Sequence, residues 1–210
     1  MARIEDYALI GDLHTAALVG MDGSIDWLCL PHFDSPACFA SLLADPEAGR
    51  WVIAPDGASR CTRRQYREGT LVLETEWETE DGAVRVIDFM PPRDGVADVV
   101  RVVEGVRGTV TMQTELVLRF DYGHVVPWVR RTERGLHAVA GPDSVYLAST
   151  VPLHGAHFRT VGEFTVSAGE RASFVLTWGP SHEARPRAVD AEKALRRTMD
   201  YWEQWTARSQ

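Results

Sequence analysis

The chain has 210 residues and a mass of 23.4 kDa, with 45% hydrophobic, 25% charged and 9% aromatic residues; this balance supports a packed core and excludes general disorder. At roughly 150 residues per domain the length amounts to about one and a half domains, a size that all-β sandwiches reach as one unit. Against 30 Asp+Glu stand 22 Lys+Arg, for a net charge of −8, which argues against nucleic acid or an anionic membrane as main partner, because both select a cationic surface.

The cations are lopsided: Lys193 is the only lysine, and arginine favours fixed, bidentate contacts over loose surface charge. Cys29, Cys38 and Cys61 are odd in number and show no C-x-x-C spacing, so neither a disulfide framework nor a zinc knuckle is indicated. The start, Met1-Ala-Arg-Ile-Glu-Asp-Tyr, lacks the apolar core of a secretory signal, and no run of 18 apolar residues occurs. These features read as a cytoplasmic protein.

In chain order, period-two alternation predicts strands at Ala16–Val19, Ser24–Leu30 and Arg50–Ile53. Between them, Asp34-Ser35-Pro36 predicts a short helix near 37–44, with Ser35 as cap and Pro36 at its first position. Leu71, Leu73, Thr75, Trp77 and Thr79 alternate with Val72, Glu74, Glu76 and Glu78, and Asp81-Gly82 turns this strand into a hairpin with Ala83–Phe89. Val99–Val106 and Val110–Phe120 follow, with Gly108 read as the turn between them. Then come Gly135–Ala140, Ser144–Ser149, His157–Val166 and Ala172–Trp178, separated by Gly141-Pro142-Asp143 and Ala168-Gly169-Glu170. Ten to twelve strands in meander order predict an all-β fold, a large antiparallel β-sandwich, over residues 1–180.

Residues 181–210 read as a linker and an amphipathic helix. From Asp190 to about Ala207, Ala191, Ala194, Leu195, Thr198, Trp202 and Trp205 recur at helical spacing. Glu192 and Arg196 add an i,i+4 pair in the favourable order. The helix either packs back over one sheet or docks against something further along.

Few motifs point to chemistry. The sequence has no phosphate loop, dinucleotide fingerprint, H-E-x-x-H or G-x-S-x-G, and no metal and no cofactor is expected. His154 and His157 are the one close histidine pair, but three-residue spacing on a strand sets the rings on opposite faces. Asp34 and Asp121 lie off the regular strands, where paired acid and base carboxylates would be sought; Asp34 equally suits an Asx turn and Asp121 an ion pair with a nearby arginine. Trp27, His32, Phe33, Phe120, Tyr122 and Trp128 fall in two segments rich in Asp, Pro and Gly. Rings beside carboxylates and arginines suit sugar recognition, where C–H faces stack and hydroxyls bind polar groups. The same rings suit core wedging or an interdomain contact.

Ile4-Glu-Asp-Tyr-Ala-Leu-Ile-Gly-Asp12, Ala16-Ala-Leu-Val-Gly-Met-Asp-Gly-Ser-Ile-Asp-Trp-Leu-Cys-Leu-Pro31 and Phe33-Asp-Ser-Pro36 resemble the opening of glycoside hydrolase family 15 proteins of bacteria and archaea: glucoamylases, glucodextranases and trehalase-like enzymes. The resemblance runs on through Phe39-Ala-Ser-Leu-Leu43, Gly49-Arg-Trp51, Asp88-Phe-Met-Pro91 and Arg119-Phe-Asp-Tyr-Gly123 to Tyr201-Trp202 and Trp205. It implies the super-sandwich that precedes an (α/α)6 barrel, with the tail as the helix leading into that barrel. In the family the barrel carries two glutamates that hydrolyse an α-glucosidic bond with inversion, so no residue here inherits a catalytic role. Trp27, Phe33, Asp34, Ser35, Arg119, Asp121, Tyr122, Trp128, Trp202 and Trp205 are the candidates for a substrate rim or interdomain contact. The expected partner is the barrel, in cis or as a separate chain, together with α-glucosides. A free-standing carbohydrate-binding module, with Phe33, Tyr122 and Trp128 as its platform, is the alternative; an interaction protein, dimeric through the tail helix, is a third.

Overall fold

The alternation read from the sequence is realised as β-structure along most of the chain, in a computed structural model that describes residues 3–208. The strands are β1 (Ala8–Gly11), β2 (Ala16–Val19), β3 (Ser24–Cys29), β4 (Ala37–Phe39), β5 (Arg50–Pro55), β6 (Arg60–Tyr66), β7 (Leu73–Glu78) and β8 (Gly82–Phe89). They continue with β9 (Asp98–Val117), β10 (Trp128–Thr132), β11 (Gly135–Ala140), β12 (Asp143–Ser149), β13 (His154–Ala156), β14 (Arg159–Ser167) and β15 (Arg171–Pro180). A single α-helix among the described residues, α1 (Ala191–Ala207), follows.

All strand pairs are antiparallel. One sheet runs β13-β14-β9-β5-β3-β2-β1, with β4 also on β3; the other runs β6-β7-β8-β9-β15-β12-β11-β10. The sheets share β9. Its first half pairs with β8 and β15, its second with β5 and β14. Gly108, with φ +64°, sits where the strand passes from one sheet to the other. A left-handed residue there bends the strand without ending it, so the turn expected at Gly108 is instead a bend within one 20-residue strand.

Between the sheets lie Ile10, Ile25, Phe39, Trp51, Ile53, Met112, Phe164 and Phe174, all buried. Trp51 meets Phe174 edge-on, with centroids 6.3 Å apart, and gives its indole N–H to Thr114 Oγ1 at 3.1 Å, the partner a buried tryptophan needs. A second apolar cluster lies on the outer face of the β8–β9–β15 sheet: Val72, Ile87, Phe89, Val100, Val102 and Val175 pack under Ala191, Ala194 and Leu195 of α1. Asp190 caps that helix by accepting from the Lys193 N–H at 2.9 Å, and Thr206 Oγ1 donates to the Gly69 carbonyl at 2.9 Å near its far end. The tail helix thus lies back across the sandwich. No helix among the described residues is long and apolar enough to cross a membrane.

The structure corrects several expectations. Residues 37–39 form β4, not a helix, with Leu28 opposite Phe39 and Cys29 opposite Ala37. Ser35 does not cap forward; its Oγ accepts from His32 N–H at 3.1 Å and closes the preceding loop. Ala37, Cys38 and Phe39 are buried, and coverage on both faces favours a strand over the helix that local signals suggest. The helical turn comes later, as a 3-10 turn at Pro46–Ala48 capped by Asp45. Glu192 pairs with Arg171 across the surface at 2.7 Å, not with Arg196. The 157–166 run divides at His157 and Phe158, which take φ +49° and +61° and turn β13 into β14.

Candidate functional site

The candidates fall into four places. At the first, Trp27 on β3 tilts against Tyr122, their centroids 6.2 Å apart, over Cys29, Ala37, Ala40 and Ala48. Tyr122 is held by a tight loop: Phe120 and Val125 exchange backbone hydrogen bonds at 2.8 and 3.0 Å, and Tyr122 N–H donates to the Ala37 carbonyl at 3.0 Å. Asp121 and Tyr122 both adopt left-handed φ, +51° and +55°, a conformation that aspartate tolerates better than most residues.

Asp121 has no arginine within 4.0 Å among the described residues, and Arg119, two positions before it, turns elsewhere. It is buried, donates to the carbonyls of Leu118 and Phe158 at 2.9 and 3.2 Å, and approaches Glu47 at 3.7 Å. Arg159 bridges the same Glu47 to Glu115 at 2.8 Å, and Arg50 reaches Glu115 at 2.8 Å. Burial alone would push the Glu115 carboxyl up, but the hydrogen bonds from Arg50 and Arg159 outweigh it and hold the group below its usual range.

The second place is the loop of Phe33, Asp34 and Ser35. Phe33 is 62% exposed, and its N–H donates to the His14 carbonyl at 3.0 Å. Arg93 fixes this loop to the β1–β2 turn: it donates to Asp12 Oδ2 at 2.9 Å and to the Pro31 carbonyl at 2.6 Å. His14 and His32 stand beside it with centroids 6.2 Å apart. Leu13, His14, Phe33 and Asp34 form an exposed rim on a rigid ionic footing.

The third place is Trp128, at the start of β10. Neither Phe33 nor Tyr122 lines the groove in which it stands. Trp128 is 79% exposed and Phe158, at the β13–β14 turn, is 84% exposed; the two line a groove of about 520 Å³ floored by Leu116, Leu118, Leu136 and Leu153. β10 and β13 are both terminal strands, each with one partner, so the groove opens where the two sheets end. His154 and His157 also line it. In sequence, a single phenylalanine inside an alternating run has the pattern of core; the exposure of Phe158 follows from its left-handed turn, with φ +61°, which no local sequence signal marks.

The fourth place is α1. Trp202 is buried and meets Trp205 at 6.4 Å, while Trp205 stays about half exposed. The helix therefore spends one tryptophan on its own sandwich.

This is an antiparallel double-sheet domain whose exposed rings sit on loops and at an open edge. Its sequence matches the family described as trehalase-like, N-terminal, over residues 1–202, and the chain belongs to that family. It is 29% identical to a trehalase of Thermoplasma volcanium over 99% of this chain and 34% of that protein. It is likewise 29% identical to a trehalase of Mycolicibacterium smegmatis over 96% of this chain and 34% of that protein. Trehalase 2 of Sulfolobus acidocaldarius is 34% identical over 57% of this chain. The chain spans about one third of the length of the first two relatives.

Proposed function

We propose that this chain is the non-catalytic amino-terminal sandwich of a glycoside hydrolase family 15 enzyme of trehalase or glucoamylase type, and that it packs against and supports the catalytic (α/α)6 barrel. The observation that carries the reading is the groove at the open edge. Trp128 and Phe158, with Val126 and Val129 at 52% and 49% exposure, present an apolar surface beside two edge strands, β10 and β13. Such a surface costs free energy in water and marks a contact site. The trehalases it matches are about three times as long, so a neighbouring domain is available to cover it.

In this arrangement the Phe33–Ser35 rim and the Trp27–Tyr122 pair lie on loops that a barrel can use as part of its substrate mouth. The acid and base belong to the barrel. The three cysteines are all unpaired, which suits a reducing cytoplasm.

The test has two arms. The pure chain is assayed for glucose release from trehalose and maltose, and is co-expressed with the unmatched remainder of the Thermoplasma volcanium trehalase. The reading requires no hydrolysis by the chain alone, and co-purification that Trp128→Ala with Phe158→Ala abolishes. Hydrolysis by the chain alone would overturn the non-catalytic role. Co-purification unaffected by the double variant would remove the groove from the interface. Saturable binding of maltose or trehalose to the isolated chain, lost in Trp128→Ala, would favour the carbohydrate-binding module instead.

A further inference from the structure

The two sides of the sandwich treat their edge strands differently. β1 ends the first sheet, yet its outward backbone is closed. The Tyr66 hydroxyl accepts from the Leu9 N–H and donates to the Leu9 carbonyl, both at 2.8 Å. Arg64, also on β6, donates to the carbonyls of Asp6 and Val19. β6 thus laces the two sheets together along this side, and an edge closed in this way offers little to a further strand.

β10, at the far end of the second sheet, is left open. Hydrogen bonding alternates along an antiparallel pair, and the Ser149 N–H donates to the Arg134 carbonyl at 2.9 Å. On β11 the backbone of Leu136 and Ala138 therefore turns to β12, and that of Gly135, His137 and Val139 turns to β10. By register, Trp128, Arg130 and Thr132 take those bonds, and the N–H and C=O of Val129 and Arg131 point away from the sheet. Among the described residues, no side chain or turn supplies these groups with a hydrogen bond. The core face of β10 is uncovered too. Val129 stands opposite Ala138 and Arg131 opposite Leu136, both members of the packed core. Yet Val129 is 49% exposed, and with Arg131 it faces the leucine-floored groove. A groove beside a core-facing valine and two free backbone donors is the space of one more strand.

Building on the domain pairing given above, we propose that this edge receives an extended segment of the neighbouring catalytic domain, which pairs with β10 and lengthens the second sheet by one strand. Backbone pairing supplies affinity, and alternate side chains of the added strand fill the groove. Those side chains are apolar against Val129 and the leucine floor, with a carboxylate beside Arg131. A second copy of this chain does not fit. In full antiparallel overlap of two β10 strands, Arg130 faces Arg130 with each copy's Arg131 adjacent, and like charges directly opposite repel. The two arginines guard the edge against self-pairing and leave it open to a strand of opposite charge.

Backbone hydrogen exchange at single-residue resolution tests the pairing. It is measured on the 210-residue chain alone and co-purified with the unmatched remainder of the Thermoplasma volcanium trehalase. In the free chain the Val129 and Arg131 amides are expected to exchange fast; in the complex both should slow at least about tenfold. Val129→Pro removes one outward donor and leaves the bonds to β11 in place. Edge strands accept proline, so its thermal midpoint should match the parent's, while its affinity for the remainder should fall at least about tenfold. Capture of the remainder with both amides exchanging as in the free chain, or undiminished capture by Val129→Pro, overturns the strand pairing and leaves the domain pairing standing. Failure of the parent chain to capture the remainder overturns both. Dimerisation of the free chain that slows both amides gives the edge to a second copy and overturns the proposal.

Discussion

Arg101 and Asp88 form an ion pair 2.7 Å apart in the space between the two sheets, and both are almost wholly buried. Arg101 does more than pair: its terminal nitrogens donate to the carbonyls of Trp51 and Gly23 at 2.7 Å each, and its guanidinium lies 5.2 Å from the Trp51 ring centre. Asp88 and Arg101 stand on β8 and β9, the carbonyls on β5 and at the β2–β3 turn, so one side chain ties the two sheets together through the core. Taking both charges out of water is costly, and it is offset only because nearly every donor is satisfied.

Removing one partner leaves the other charge buried and unmatched. Arg101→Met is therefore expected to cost about 3–5 kcal/mol, and Asp88→Asn somewhat less because the amide oxygen still accepts. Urea unfolding of both variants checks the order.

Two glycines separate backbone strain from steric overlap. Gly23 and Gly57 share nearly the same φ, +79° and +78°. A Cβ on Gly23 would meet the Ile53 carbonyl oxygen at 2.3 Å, whereas one on Gly57 meets nothing within 4 Å. Gly57→Ala should cost about 1–2 kcal/mol, the ordinary left-handed penalty, and Gly23→Ala clearly more. Thermal denaturation of the pair measures the difference.

Burial raises the pKa of Asp98 to about 6, despite the hydrogen bond from Thr177. Because the folded value lies above the unfolded one, the group favours folding fully below about pH 4 and loses that contribution as pH rises through about 6. Asp98→Asn is expected to raise stability by about 1–2 kcal/mol at pH 7.5, with the gain vanishing near pH 4. A pH series of unfolding midpoints for variant and parent gives the answer.

The tail tryptophans should behave oppositely. Trp202 is 7% exposed and Trp205 48%, so Trp202→Ala is expected to cost about 3–5 kcal/mol and Trp205→Ala less than about 1 kcal/mol. Trp128→Ala, at 79% exposure, should leave the stability of the isolated chain within about 0.5 kcal/mol. Chemical denaturation of the three variants ranks them.

Where one face is wet and the other packed, the strands were legible: β2 and β11 fall where the alternation puts them, and β7 and β8 differ by a residue or two. β6 was invisible because Arg60-Cys-Thr-Arg-Arg-Gln-Tyr66 is polar on both faces, as suits an edge strand carrying little core. β4 was misread for the opposite reason: three residues buried on all sides have no period to betray them. Topology was hidden as well, since nothing local in Asp98–Val117 says that one strand will serve both sheets. For the site, the exposed rings at Phe33, Tyr122 and Trp128 were legible as types, but the partition that pairs Trp128 with Phe158 depends on two strand edges meeting, a fact of the fold alone.

The shared strand also sets a timetable. β9 gains β5 and β8 from residues that precede it, but its other neighbours, β14 and β15, arrive only with residues 159–180. During synthesis the long strand waits, half-partnered in both sheets, until residues 159–180 have been made. A nascent chain halted before residue 159 therefore holds two open sheets and a hydrophobic spine, a natural client for a chaperone.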